Sequence, residues 1–267
     1  MFTLITQKIN SLSFSWTTII LLFVSIICVL YLILFIKNIR KQIQIDHFTS
    51  KIDSDPYDTI DVVYYINLDH RTDRNAEFLE EMNKIGYPFD KIVRISAVYK
   101  PKQGDLGCSM SHIKTLDEFI KSPHKNCIVF EDDFEFSQNK EDVQTAFSNL
   151  AENNVSYDVC MLSANVHGSD LTNTEYPFIK KVENAQTASG YMVSKSFAPV
   201  LLQNYKEGAQ LLQSGYDNGS PDGPNHCVDQ YWKHLQPHSN WYLFNEKLGK
   251  QRKSHSDIQG GVMDYGV

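Results

Sequence analysis

The sequence predicts an α/β domain built around a central sheet and preceded by a single transmembrane helix. Strand-like and helix-like segments alternate from residue 61 onward, the order that builds sheets covered by helices. Midway along that series an apolar run, Ile128-Val129-Phe130, passes straight into Glu131-Asp132-Asp133. Near the start, Thr17 to Ile36 (TTIILLFVSIICVLYLILFI) carries no charge, and its length, about 20 residues, crosses a hydrocarbon core about 30 Å thick.

That run reads as an uncleaved anchor. A signal peptide has a shorter apolar stretch and a small-residue cleavage site, whereas this one ends in Leu34-Phe35-Ile36-Lys37. Lys8 precedes it, and Lys37, Arg40 and Lys41 follow. The positive-inside rule therefore puts the C-terminal domain in the cytosol. The sequons Asn154-Val155-Ser156 and Asn218-Gly219-Ser220 matter only for a lumenal domain, and the side stays open. The expected organisation is a tail over 1–16, a single-pass anchor over 17–36, a polar, partly helical stalk over 37–58, a folded domain over 59–259 and a short tail over 260–267.

The domain opens with a β-branched and aromatic strand at 61–68. Asn67 is the polar residue at its apolar end. A helix follows through Phe78, Leu79, Met82 and Ile85, stopped by Gly86 and Pro88. A second strand at 92–98 completes a βαβ unit. Residues 100–105 read as a turn-rich loop. Gly107-Cys108-Ser109-Met110-Ser111-His112 leads into a helix with Ser109 or Ser111 as N-cap, ended by Pro123. The acidic strand at 127–131, a helix at 141–150 and a strand at 157–162 come next. Residues 163–186 look loop-like, 190–193 strand-like and 197–205 helical. The turn-dense stretch 217–224 reads as a mobile loop. A helix with Val228, Tyr231, Trp232 and Leu235, a strand at 241–244 and a polar tail from Lys247 finish the chain.

Composition narrows the function. With 267 residues, 42% hydrophobic and 12% aromatic, the chain can bury one large core. A formal net charge of −7 and the lack of basic clusters exclude a nucleic-acid footprint. Five cysteines without a CxxC pair form no disulfide framework and, by spacing, no zinc site, so buried free thiols are the default with a single disulfide possible. The acidic strand end is the informative feature. Strands of α/β sheets present ligand groups at their carboxyl ends, and adjacent carboxylates repel unless a cation sits among them. A hard divalent ion, Mn²⁺ or Mg²⁺, suits an oxygen-only cluster whose coordination phosphate oxygens complete.

Six segments in order, INLDHRTDR (66–74), LGCSMSHIK (106–114), IVFEDDFEF (128–136), ASGYMVSKSFAPVLL (188–202), VDQYW (228–232) and SHSDIQ (254–259), resemble those of glycosyltransferase family 25, which includes lipooligosaccharide and procollagen galactosyltransferases. The resemblance implies a GT-A-like fold, a single nucleotide-sugar-binding domain with a central mixed sheet. It also implies a divalent metal and inversion at the anomeric carbon. The donor defaults to UDP-galactose, and the acceptor is a glycan, lipid-linked or protein hydroxyl.

Glu131, Asp132 and Asp133 stand at the family's DxD-like element. Strand alternation puts Glu131 and Asp133 on one side, with Asp133 the first choice for direct metal contact. His255 is the second metal candidate, since GT-A enzymes often draw a ligand from a C-terminal histidine. Asp257, in the family's SDI element, is expected at donor or metal. Arg71 and Arg74 could fork around phosphate, and Asn67 could read the nucleotide base. Ser111 and His112 are placed at a helix N-terminus, which favours an anion; His112 reads equally as a packing residue that orders its loop. Inversion needs a base for the acceptor hydroxyl, assigned to Asp229, with Asp132 or Glu131 as the alternative. A metal-dependent phosphohydrolase and an inactive anchored carbohydrate-binding protein with a transferase fold are the competing readings.

Overall fold

The computed structural model describes residues 16–53, 56–220, 223–256 and 261–263, with side chains for 16–42, 56–220, 225–254 and 261. It divides into two compact units, Met1–Asp55 and Pro56–Val267. In the first, helix α1 (Trp16–Asp53) continues past the apolar run through most of the segment expected as a stalk. Its Trp16–Gln42 portion is long and apolar enough to cross a membrane.

The second unit is an α/β domain. Its strands are β1 (Val63–Asn67), β2 (Ile92–Ser96), β3 (Asn126–Glu131), β4 (Phe134–Phe136), β5 (Val159–Met161), β6 (Asn165–Val166), β7 (Leu171–Asn173), β8 (Ile179–Val182), β9 (Ala185–Gln186), β10 (Gly190–Ser194), β11 (Trp241–Phe244), β12 (Gly249–Gln251), β13 (Ser254–Ser256) and β14 (Gly261–Met263). Its helices are α2 (Thr72–Lys84), α3 (Gly104–Lys121), α4 (Lys140–Glu152), α5 (Ala198–Asp217), α6 (Gly223–His226) and α7 (Val228–Tyr231). Eight strands form a mixed sheet in the order β2-β1-β3-β10-β5-β11-β8-β7. β1 lies parallel to both β2 and β3, while β10 runs antiparallel to β3 and β5. The expected α/β class with a central mixed sheet is borne out.

Alternation along the strands explains the layers. Tyr64 and Ile66 of β1 and Val129 of β3 join the core beneath α3 and α5, with Leu116, Phe119, Leu201 and Tyr205. Val63 and Tyr65, with Ile128 and Phe130, face the other way, onto Phe78 and Met82 of α2 and Phe147 of α4. Both faces are covered, which is why β1 and β3 are near-continuous apolar runs. α2 ends at Ile85, before Gly86 at φ 69°, a left-handed position that glycine takes without steric cost.

Several expectations need correction. α3 begins at Gly104, with Gln103 at its N-cap, so Ser109 and Ser111 are interior. Their hydroxyls donate instead to the carbonyls of Asp105 and Gly107 one turn back. α5 runs to Asp217, well past Tyr205, because its buried face continues through Gly208, Ala209 and Leu212. Residues 163–186 contain the short strands β6 to β9. The segment expected as one helix after 226 splits into α7 and a 3-10 turn, Trp232–His238, with Pro237 inside it. Of the stretch 217–224, residues 221–222 lie outside the described residues. The polar tail after Lys247 forms β12 to β14. β12 pairs with β4, and Gly249 makes that approach possible: a Cβ there would lie 2.5 Å from the Glu135 carbonyl oxygen.

Phe130 is fully buried, with ring centroids 5.6 Å from Phe78 and 4.6 Å from Phe134. Phe130→Ala is expected to cost about 3–5 kcal/mol of domain stability, read as a lower denaturation midpoint at unchanged slope in urea. A cost near zero would mean that this core does not pack as described.

Candidate active site

β3 ends at Glu131, and Asp132 and Asp133 form the turn into β4. The alternation that was to put Glu131 and Asp133 on one side therefore stops two residues short of Asp133. The two aspartates meet at Arg74 instead. Its Nη1 donates to Asp132 Oδ1 at 2.9 Å and to Asp133 Oδ2 at 3.2 Å, and its Nη2 to Ser254 Oγ at 2.7 Å. The other oxygen of Asp132 accepts from Asn67 Nδ2 at 2.7 Å. Asn67 itself is fixed between the Arg71 carbonyl and the Arg94 guanidinium. Gln251 Nε2, brought in by β12, donates to Asp133 Oδ2 at 3.1 Å. Arg252 donates its backbone N–H to the Asp133 carbonyl at 2.6 Å and pairs with Glu77.

Glu131 turns away from the two aspartates. Its Oε1 meets His112 Nε2 at 3.1 Å and Cys108 Sγ at 3.5 Å. His112 is fully buried, in the third turn of α3, with its Nδ1 3.0 Å from the Tyr191 hydroxyl. This overturns the helix-N-terminus setting expected for Ser111 and His112. Ser111 Oγ accepts from the Val98 N–H at 2.8 Å, which ties α3 to the strand exit after β2.

Of these groups, Arg74, Cys108, Ser111, Glu131, Asp132, Asp133, Gln251 and Ser254 line an open cleft. Its lining also includes the chain after β2, from Ala97 to Lys100, with Ile66 of β1 and Leu68 just beyond that strand. The cleft thus sits at the carboxyl ends of the parallel strands β2, β1 and β3, where open α/β sheets take ligands.

Burial pushes the Asp132 carboxyl above the usual range, against the pull of Arg74. Asp133 is pushed up to about 7, by burial first and then by the Glu131 charge, with Arg74 opposing. For Glu131 burial pushes upward too, but the His112 hydrogen bond and charge outweigh it, and the group lies below its usual value. Asp229 is raised by burial, with the Glu131 charge adding to the rise, and it accepts from the Thr187 N–H at 3.1 Å.

Among the expected site residues, Asn67, Arg74, Asp132 and Asp133 form one network, and Glu131, His112 and Ser111 stand beside it. Arg71 points elsewhere and forks around Asp73 with bonds of 2.9–3.3 Å. The His255 backbone lies in β13, its side chain is outside the described residues, and so is all of Asp257. Gln251, Ser254, Tyr99 and Lys100 join the site without having been singled out by sequence reasoning. Only the SHSDIQ segment hints that the tail returns to the site.

The residues present fit a divalent cation on one count. Asp133 Oδ1 is buried without a hydrogen-bond partner among the described residues, and its carboxyl is destabilised as an anion until positive charge arrives.

Residues 99–213, which carry α3, β3 and β10, match the family model of glycosyltransferase family 25 (LPS biosynthesis protein). No curated protein matches the chain in sequence. Among solved structures, a mannose-1-phosphate geranyltransferase from Thermus thermophilus aligns at 9% identity and TM-score 0.42, over 70% of this chain and 73% of that one. A glycosyltransferase involved in the glycosylation of the major capsid of PBCV-1 aligns at 14% identity and TM-score 0.38, over 68% and 80%.

A carboxylate raised in the folded state binds its proton more tightly than in the unfolded chain. The stability that this proton supplies is present below the unfolded value, 3.8, and is lost as pH rises towards about 7. In chelator, the melting temperature of Asp133→Asn is therefore expected to rise relative to the unaltered chain between about pH 4 and 7. A constant gap across that window would show that Asp133 titrates normally. In the segment 99–213, which holds the acidic strand and the helix behind it, the chain is similar in sequence to glycosyltransferase family 25.

Proposed function

We propose that the chain is a membrane-anchored, metal-dependent inverting glycosyltransferase that moves a hexose from a nucleotide sugar to a glycan, lipid-linked or protein hydroxyl. The observation that carries the reading is the family 25 match over the segment that supplies the acidic wall of the cleft. UDP and galactose are the default donor parts, on the resemblance alone, and the fold is read as GT-A-like on the same ground.

The cleft walls suggest how such a donor would lie. Ala97, Val98 and Tyr99 offer an apolar surface to a base, and Lys100 a cation to the diphosphate. Mn²⁺ or Mg²⁺ would be held by Asp133 through its unpartnered oxygen, with His255 as a further candidate; when bound, the ion neutralises charge on the departing nucleotide. Asp132 has both oxygens engaged, by Asn67 and Arg74, so it serves better as scaffold than as base. Asp229 retains an oxygen beyond its single bond to Thr187, and its raised carboxyl lies nearer the range useful for accepting a proton from an acceptor hydroxyl. Asp257 and Arg71 keep their expected donor roles as proposals. α1 would hold the domain at a membrane, on a side left open.

The full chain in detergent is to be incubated with Mn²⁺ and each common UDP-, GDP- and CMP-sugar, and nucleotide release recorded. One donor is expected to respond, with the signal lost in Asp133→Ala. Asp229→Asn is expected to lower kcat by about 10²–10⁴-fold while donor binding persists. A folded chain that binds none of these donors, with or without metal, would instead support the inactive binding module.

A further inference from the structure

Cys108 and His112 lie four residues apart on α3, a spacing that puts both side chains on one face of a helix. Both reach the same oxygen of Glu131, His112 Nε2 at 3.1 Å and Cys108 Sγ at 3.5 Å. All three potential ligand atoms lie within 4.8 Å of one another. In tetrahedral zinc sites, Zn–S is about 2.3 Å and Zn–N or Zn–O about 2.0–2.2 Å, which sets neighbouring ligand atoms about 3.3–3.6 Å apart. The two measured separations stand close to that range without an ion. The second ring nitrogen of His112 meets the Tyr191 hydroxyl at 3.0 Å. An outer partner of this kind fixes the tautomer and aims the other nitrogen at a metal.

We propose that Cys108, His112 and Glu131 form a binding site for a borderline-soft divalent ion, with Zn²⁺ the best chemical match. Thiolate and imidazole prefer such an ion to Mn²⁺ or Mg²⁺, so the site differs in chemistry from the oxygen set around Asp133. Cys108 and Glu131 both line the cleft, and His112 is buried behind them. The fourth position of this three-ligand set therefore opens toward the cleft, as in zinc sites that take water or a substrate oxygen there. Binding releases to solvent both the Cys108 thiol proton and the proton that His112 Nε2 holds against Glu131, as the sulfur and the nitrogen become ligands. The proposal concerns these three side chains and holds whether or not the chain transfers a sugar.

Cobalt reports the site directly. The full chain, purified in detergent and stripped with chelator, is titrated with Co²⁺ and then Zn²⁺ while its visible and near-ultraviolet absorption is recorded. Tetrahedral cobalt bands with thiolate-to-metal charge-transfer absorption are expected, and Zn²⁺ should displace them. The charge-transfer band should vanish in Cys108→Ser and survive in Asp133→Asn. If the unaltered chain shows no charge-transfer band, the proposal falls, and the three groups are a histidine–carboxylate bond with a thiol beside it. A band that persists in Cys108→Ser also overturns it, since the thiolate then belongs to another cysteine. The first outcome needs no variant, so a folding defect cannot shield the idea.

Discussion

Arg74 stands between two buried aspartates, and the turn after β3 is arranged around it. Three consecutive carboxylates at the end of a core strand repel one another, and burial raises that cost because water no longer screens them. One guanidinium nitrogen shared by Asp132 and Asp133 offsets much of it. The second nitrogen anchors Ser254, so the same cation ties the tail to the cluster. A lysine would supply the charge but not the planar fork that reaches three acceptors at once. Removing one partner of such a buried pair typically costs about 3–5 kcal/mol, because the other charge is left unpaired.

The order of strands explains why the cluster forms where it does. β1 lies between β2 and β3, all three parallel, so their carboxyl ends open on one side. Asn67 at the end of β1 is therefore beside Asp132 without any special loop. On the far flank the Glu131 N–H donates to the Ser189 carbonyl just before β10, which holds the strand end while the chain turns. The remaining support, Gln251 and Ser254, comes from more than a hundred residues away, through the pairing of β12 with β4.

That distance marks what is legible in the sequence. β1, β3, β10 and β11 announce themselves because short apolar runs rich in β-branched and aromatic residues are local properties, and α2 does so because Gly86 stops it locally. The start of α3 misleads because two serines look like N-caps, whereas the helix begins earlier, after Gln103, with Asp105 in its first turn. Arg71 and Arg74 look equivalent as a pair three residues apart. Only their tertiary partners separate them, one bonded to exposed Asp73 and the other to buried Asp132 and Asp133. The tail is mostly polar, with isolated apolar residues such as Leu248 and Val262, and that pattern does not foretell strands. Its role rests on pairing with β4, which is a non-local fact.

The charge of the cluster also bears on the proposed function. Glu131, Asp132 and Asp133 carry three formal negative charges and Arg74 one positive, leaving two, the charge that one divalent cation cancels. Burial first and the Glu131 charge second push the Asp133 carboxyl up to about 7, even with Arg74 bonded to it. The arginine occupies Oδ2 and leaves Oδ1 without a partner among the described residues, so a cation need not displace it. A nucleoside diphosphate brings further negative charge, and against an uncompensated cluster it would be repelled. Under that reading Asp133 would hold a cation whose positive charge lets the cluster accept a diphosphate beside it. Arg74 then remains the fixed charge that holds the aspartates in place between turnovers.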